Sequence, residues 1–190
     1  MNSLPVVYRS MTLAMLVLGT LLLLVNVLLA RQNQKLKILA GRPDRALEVR
    51  PGTKLPPLEG FDVDGNRHTI AYSRDSRKTI LLVISPRCRA CEQSLPNLKA
   101  IVNGLDQKSF RLAAVSLQSE GLKEYMYRRG LDRVPVLTEV DPKLRVAYNL
   151  SLTPQIILID AGGAVEKVWT GLLRGEDKHG VESTLNVRLP

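Results

Sequence analysis

Cysteine is almost absent from this chain of 190 residues: there are two, Cys88 and Cys91. Without a third thiol no further intramolecular disulfide can form, so stability has to come from packing. Histidine is equally scarce. His68 and His179 have no ligand spacing to each other, which leaves a cysteine–histidine zinc site short of ligands. Haem attachment would need histidine directly after the second cysteine, and residue 92 is Glu. No metal or other cofactor is expected. Aromatics are 4% of the residues, which leaves few stacking platforms for single-stranded nucleic acid. No zinc finger, helix-turn-helix or RNA-binding pattern accompanies the basic residues. Acidic residues are short too, 18 against 27 lysines and arginines, for a net charge of +9. With nucleic acid set aside, that excess is expected to be a solvated basic surface near a membrane.

One apolar segment stands out. Met11 to Ala30 (MTLAMLVLGTLLLLVNVLLA) carries no charge, and its polar residues are Thr12, Thr20 and Asn26. At 1.5 Å per residue, roughly 20 helical residues cross the ~30 Å hydrocarbon core. A cleaved signal peptide has a shorter apolar region and small residues at its cleavage site. Leu28-Leu29-Ala30 puts a large residue there, and no cysteine follows to carry a lipoprotein anchor. Residues 11–30 are therefore expected to stay in the lipid bilayer as a transmembrane anchor, after a short tail over 1–10. A basic juxtamembrane linker or helix is expected over 31–50, and one folded domain over 51–190. Arg9 precedes the anchor, whereas Arg31, Lys35, Lys37, Arg42, Arg45 and Arg50 follow it. By the positive-inside rule alone the domain would face the cytoplasm.

Pro51, Gly52, Pro56 and Pro57 mark the domain boundary. Asp64-Gly65 ahead of Arg67 to Ile70 predicts a small hairpin. Thr79 to Ser85 (TILLVIS) is a short branched apolar run that suits a strand buried on both faces. A helix is expected from about Cys88 through Leu95, Leu98 and Ile101. Phe110 to Leu117 then reads as a strand, Ser119 to Arg129 as a helix, Val134 to Leu137 as a short strand and Pro142 to Tyr148 as a helix. Gln155 to Asp160 and Ala164 to Thr170 read as strands joined by a hairpin turn. A last helix is expected over Glu176 to Val187. Strands alternating with helices and closing in a hairpin predict an α/β sandwich on a central mixed sheet.

The two cysteines stand three apart, a separation that random placement gives about once in a hundred trials. They also stand where Leu82 to Ser85 delivers the chain to a helix start. Unpaired backbone N–H groups and the positive end of the helix dipole stabilise a thiolate there. Arg87 and Arg89 add positive charge and are expected to tune the Cys88 pKa downward. Cys91, on the same helix face, can attack a mixed disulfide formed at Cys88. Cys88 attacks and Cys91 resolves. A static bridge closing so small a loop would stabilise little.

The motif, together with Pro96 and Thr153-Pro154, resembles the thioredoxin-like superfamily, in its membrane-anchored redoxin and TlpA-like branch. The resemblance covers roughly Pro51 to Leu185. It implies a thioredoxin-like sandwich, a kinked active-site helix at Pro96, and a cis-proline at Pro154 that, with Thr153, faces the dithiol and holds substrate. The separation of Pro154 from Cys91, Gly52-x-x-x-Pro56 and Asp64-Gly65 also look like that branch. Ser85-Pro86-x-Cys88 and Leu29-Ala30-Arg31-Gln32 look like the thioredoxin-like accessory proteins of methylamine utilisation. Two departures stand against it. Leu82 occupies the place of the buried acid of thioredoxin, and Arg87 that of the tryptophan before the first cysteine. Glu92, beside Cys91, reads equally well as a solvated first-turn residue.

The activity so implied is thiol–disulfide exchange, reducing or isomerising disulfides of exported proteins on the outer face of a bacterial inner membrane. Its partners would be a disulfide-containing substrate protein and a membrane partner that recycles the dithiol. Two alternatives differ in chemistry. A peroxiredoxin-like peroxidase matches at Ser85 but has Leu81 where its pattern needs proline. A copper-binding chaperone would want a wider cysteine spacing with a nearby histidine or methionine, which Met126 and His179 do not supply.

Overall fold

The computed structural model describes residues 4–40, 49–72 and 76–190. The chain divides into two units, 1–47 and 48–190. Among the described residues the first holds one helix, α1 (Leu4–Ala40). Its stretch Leu13–Arg31 is long and apolar enough to cross a membrane, as an anchor or a signal sequence would be. Two polar side chains within it turn back on the helix. Thr20 Oγ1 donates to the carbonyls of Leu16 and Val17 at 3.0 and 2.9 Å, and Asn26 Nδ2 to that of Leu22 at 3.1 Å. That self-satisfaction is what an apolar solvent requires. The helix begins within the expected tail and runs on through residue 40. Residues 31–40 (RQNQKLKILA) are mostly good helix formers, with no glycine or proline before Gly41. The rest of the expected linker to Glu48 lies outside the described residues.

The second unit opens with a hairpin of β1 (Leu58–Phe61) and β2 (Arg67–Ile70). The order is then β3 (Lys78–Ile84), α2 (Arg89–Gly104), β4 (Phe110–Ser116), α3 (Leu122–Arg128), β5 (Val136–Leu137), α4 (Pro142–Ala147), β6 (Gln155–Ile159), β7 (Val165–Thr170) and α5 (Gly175–Leu185). Five strands form one sheet in the order β5-β4-β3-β6-β7. β3, β4 and β5 run parallel, and β6 and β7 run antiparallel to their neighbours. This is the mixed-sheet α/β thioredoxin-like sandwich.

β3 is central because its sequence can be buried on both sides, and all its residues after Lys78 are buried. Alternation splits them between two cores. Ile80, Leu82 and Ile84 face α2, α3 and α5, packing with Leu98, Ile101, Leu122, Val181 and Leu185. Leu81 and Val83 face the other side, with Ile157, Ile159, Leu58 and Tyr148. There Tyr72 and Tyr148 join their hydroxyls at 2.6 Å, and Tyr148 donates to the Pro56 carbonyl. The hairpin docks on the sheet edge through reciprocal backbone bonds between Phe61 and Thr138, at 2.9 and 2.8 Å. Gly60 permits the approach, since a Cβ there would stand 2.8 Å from the Thr138 carbonyl oxygen.

Two elements are shorter than the sequence predicts. α3 starts at Leu122 because Gly121 sits at φ 70 and Ser119–Leu122 forms a turn, the Leu122 N–H bonding the Ser119 carbonyl. β5 keeps two residues because a turn from Leu131 to Val134 precedes it and Pro135 has no N–H to give a ladder.

Candidate active site

The site begins where β3 stops. Pro86 cannot donate to a sheet ladder, and the Cys88 N–H bonds the Ser85 carbonyl at 3.1 Å, turning the chain out of the strand. Cys88 is then the N-cap of α2, with extended backbone (φ −94, ψ 109), and its Sγ accepts the Cys91 N–H at 3.1 Å. A serine or aspartate oxygen ordinarily fills this role. Here a sulfur fills it, at the positive end of a 16-residue helix. Cys91 lies one turn in, fully buried in the cluster that contains Leu82. Pro96 lies inside α2, as expected.

Antiparallel pairing supplies the third side. Val83 of β3 is opposite Gln155 of β6, so the residues before β6 come alongside the end of β3. The Thr153–Pro154 peptide bond is cis, and the Thr153 carbonyl accepts the Cys88 S–H at 3.5 Å. Cys88, Cys91, Thr153 and Pro154 thus meet at one point, though Pro154 and Thr153 follow the cysteines by more than sixty residues.

The two thiols are driven apart in acidity. Burial works against the Cys88 thiolate, but hydrogen bonds with the side chains of Cys91 and Thr153 and from the backbone at Cys91 and Ala90 outweigh it. The Cys88 thiol is held below its ordinary value. Burial pushes the Cys91 thiol up to about 12, and its hydrogen bond with Cys88 pushes the same way. A nucleophile poised over a protonated second thiol is the arrangement that sequential exchange needs. Of the two sources of thiolate stabilisation expected, the helix start is in place. Arg87 is exposed and ion-paired with Glu120, and Arg89 is exposed.

Several residues about the site escaped sequence reasoning. Ser85 Oγ donates to Gln118 Oε1 at 3.1 Å, and Ser116 Oγ to the Gln118 carbonyl at 2.6 Å, tying the end of β3 to the loop after β4. Glu92 is not free in solvent but pairs with Arg129 at 2.7 Å. No local pattern marks these partners, which come from a different βα unit. The histidines lie elsewhere, His68 against Asp62 at 2.9 Å and His179 against Glu182 at 3.3 Å. Among the described residues, no group of three or more His, Cys, Asp or Glu could hold a metal ion.

No family model matches the chain. Thiol-disulfide oxidoreductase ResA of Geobacillus thermodenitrificans is 26% identical over 131 residues, which cover 68% of this chain and 74% of that protein. Its counterpart in Geobacillus kaustophilus matches to the same extent. Among solved structures, the thioredoxin domain of a thiol-disulfide oxidoreductase from Bacteroides vulgatus superposes with TM-score 0.58 at 21% identity. The match covers 73% of this chain and all of that one. StoA from Bacillus subtilis gives 0.55 at 19% identity, over 70% of this chain and 98% of its own. Sheet order, the position of the dithiol and these similarities agree: the chain has the thioredoxin-like fold and is similar to thiol-disulfide oxidoreductases.

Proposed function

We propose that the chain is a membrane-anchored thiol–disulfide oxidoreductase in which Cys88 is the nucleophile and Cys91 the resolving thiol. The observation that carries the reading is the Cys88 sulfur capping α2, held acidic, above a buried and protonated Cys91. The Cys88 thiolate attacks one sulfur of a substrate disulfide, forming a Cys88–substrate bond and expelling the other sulfur as a thiolate. Cys91 then attacks Cys88, and the second substrate sulfur leaves. Two electrons pass from the dithiol to the substrate, so a recycling partner must return two. The dithiol's contact with Thr153 supports a substrate segment lying along Thr153 and Pro154.

The apolar helix supports tethering by 11–30, with 31–50 as the connection and 51–190 as the exchanging domain. Disulfides persist in oxidising compartments, which supports a domain outside the cytoplasm acting on exported proteins. The test is a pair of variants on a disulfide-bonded protein substrate. Cys88→Ser is expected to abolish reduction, and Cys91→Ser to accumulate a covalent enzyme–substrate species that dithiothreitol releases. Undiminished reduction by Cys88→Ser would sink the reading.

A further inference from the structure

Every residue of the span Leu13–Arg31 in α1 is exposed, so nothing in its own unit covers it. Between Leu13 and Ala30 the polar side chains are those of Thr20 and Asn26. Thr20 has one hydroxyl proton, and the carbonyls of Leu16 and Val17 take it. Asn26 is different, because a carboxamide has two N–H donors and an acceptor oxygen. One N–H goes to the Leu22 carbonyl at 3.1 Å. Among the described residues, the other N–H and the Oδ1 atom have no partner. At 1.5 Å per residue, Asn26 lies about 6 Å along the axis from Leu22, the middle of the span, and so within hydrocarbon. Water cannot satisfy a polar group there, and leaving it unmet costs free energy. A step of seven residues returns to within about 20° of the same helix face. Gly19 stands one such step before Asn26, with Leu22 and Leu29 flanking Asn26 on that face. A single asparagine in an apolar seam of this spacing fixes register and copy number in paired helices. A Cβ at Gly19 would meet nothing within 4 Å, so the notch is open to a neighbouring backbone.

We propose that α1 pairs in parallel with α1 of a second copy of this chain, the two Asn26 carboxamides hydrogen-bonded to each other across the seam. The inference rests on the anchor reading above. Complementarity identifies the occupant. Each carboxamide has one unmet N–H and one unmet oxygen, so two of them related by a two-fold axis satisfy each other, each N–H donating to the other Oδ1. Copies of one chain enter the bilayer in the same direction, which brings both Asn26 residues to the same depth. An antiparallel pair would hold them about 12 Å apart along the axis, out of reach. A helix of different sequence would need a polar side chain at that same depth. Gly19 on one side of Asn26, and Ala30 one turn beyond it on the other, let the two backbones approach closely enough for the bonds to form.

The experiment uses the full chain in phosphatidylcholine vesicles, kept reduced with dithiothreitol so that no disulfide links copies. Donor and acceptor fluorescent proteins follow Pro190, and energy transfer is measured as lipid is added at fixed protein. The parent is expected to show transfer above the random-collision level that falls on dilution as a dimer does. Asn26→Leu leaves the helix apolar and is expected to weaken association by about 10-fold, as loss of two interhelical hydrogen bonds should. Asn26→Gln keeps a carboxamide at the seam and is expected to associate more tightly than Asn26→Leu. Thr20→Leu, on another face and with its hydroxyl already satisfied, should match the parent. Transfer at the random level in the parent, or association of Asn26→Leu as tight as the parent's, would overturn the pairing and leave the anchor reading standing. A full chain that does not float with the vesicles would overturn the anchor reading, and the pairing with it.

Discussion

Cys88 and Cys91 are chemically identical in the unfolded chain and acquire opposite properties from one turn of helix. Cys88 has backbone N–H groups aimed at its sulfur, whereas Cys91 has Leu82 and its neighbours. At neutral pH iodoacetamide is expected to label Cys88 alone, and Cys91 only after unfolding. The rate at Cys88 should rise with pH as the thiolate fraction grows, with a midpoint below that of an ordinary thiol. Thr153→Val removes one of the groups that lower this midpoint and should raise it. Arg87→Gln should leave it near the parent's, because Arg87 is exposed and its charge is already met by Glu120. Mass spectrometry of labelled peptides across a pH series measures all three. Faster labelling of Cys91 would reverse the assigned roles.

At the scale of elements, α2 has to be held rigidly on the sheet for its first residue to present a sulfur. Its inward stripe is Cys91, Ser94, Leu98 and Ile101, at helical spacing, against Ile80, Leu82 and Ile84 of β3. Leu98→Ala should destabilise the domain by about 2–5 kcal/mol, as large-to-small changes in tight cores do. The matching control is Lys99→Ala on the same helix, which should change little. Urea unfolding midpoints with unchanged slopes would check both. This element was readable beforehand because its signals are local: a branched apolar run, a proline stop, a capping position and a periodic stripe. The β6–β7 hairpin was readable for the same reason, from Asp160-Ala161-Gly162-Gly163 between two apolar runs. The start of α3 was misjudged because a glycine at positive φ ends the turn before it, and composition alone does not set that angle.

For the whole molecule, charge and chemistry point in opposite directions about where the dithiol works. The basic residues after the apolar helix favour the cytoplasm, and the chemistry favours the opposite side. An alkaline phosphatase fused after Pro190 is expected to be active, and a fluorescent cytoplasmic reporter at the same place dark. The reverse pair of results would mean that charge counting had been the better guide. The sequence by itself determined what depends on neighbours along the chain: the apolar helix, the order of strands and helices, and a dithiol at a strand-to-helix junction. The tertiary structure alone decided what depends on residues far apart in sequence. It brought the Thr153 carbonyl onto Cys88 through β3–β6 pairing, turned Arg87 toward Glu120, and set Arg129, directly after α3, beside Glu92. Hydrogen bonds and ion pairs act over a few ångströms of space and carry no periodic trace in the chain, so they become visible once the sheet has closed.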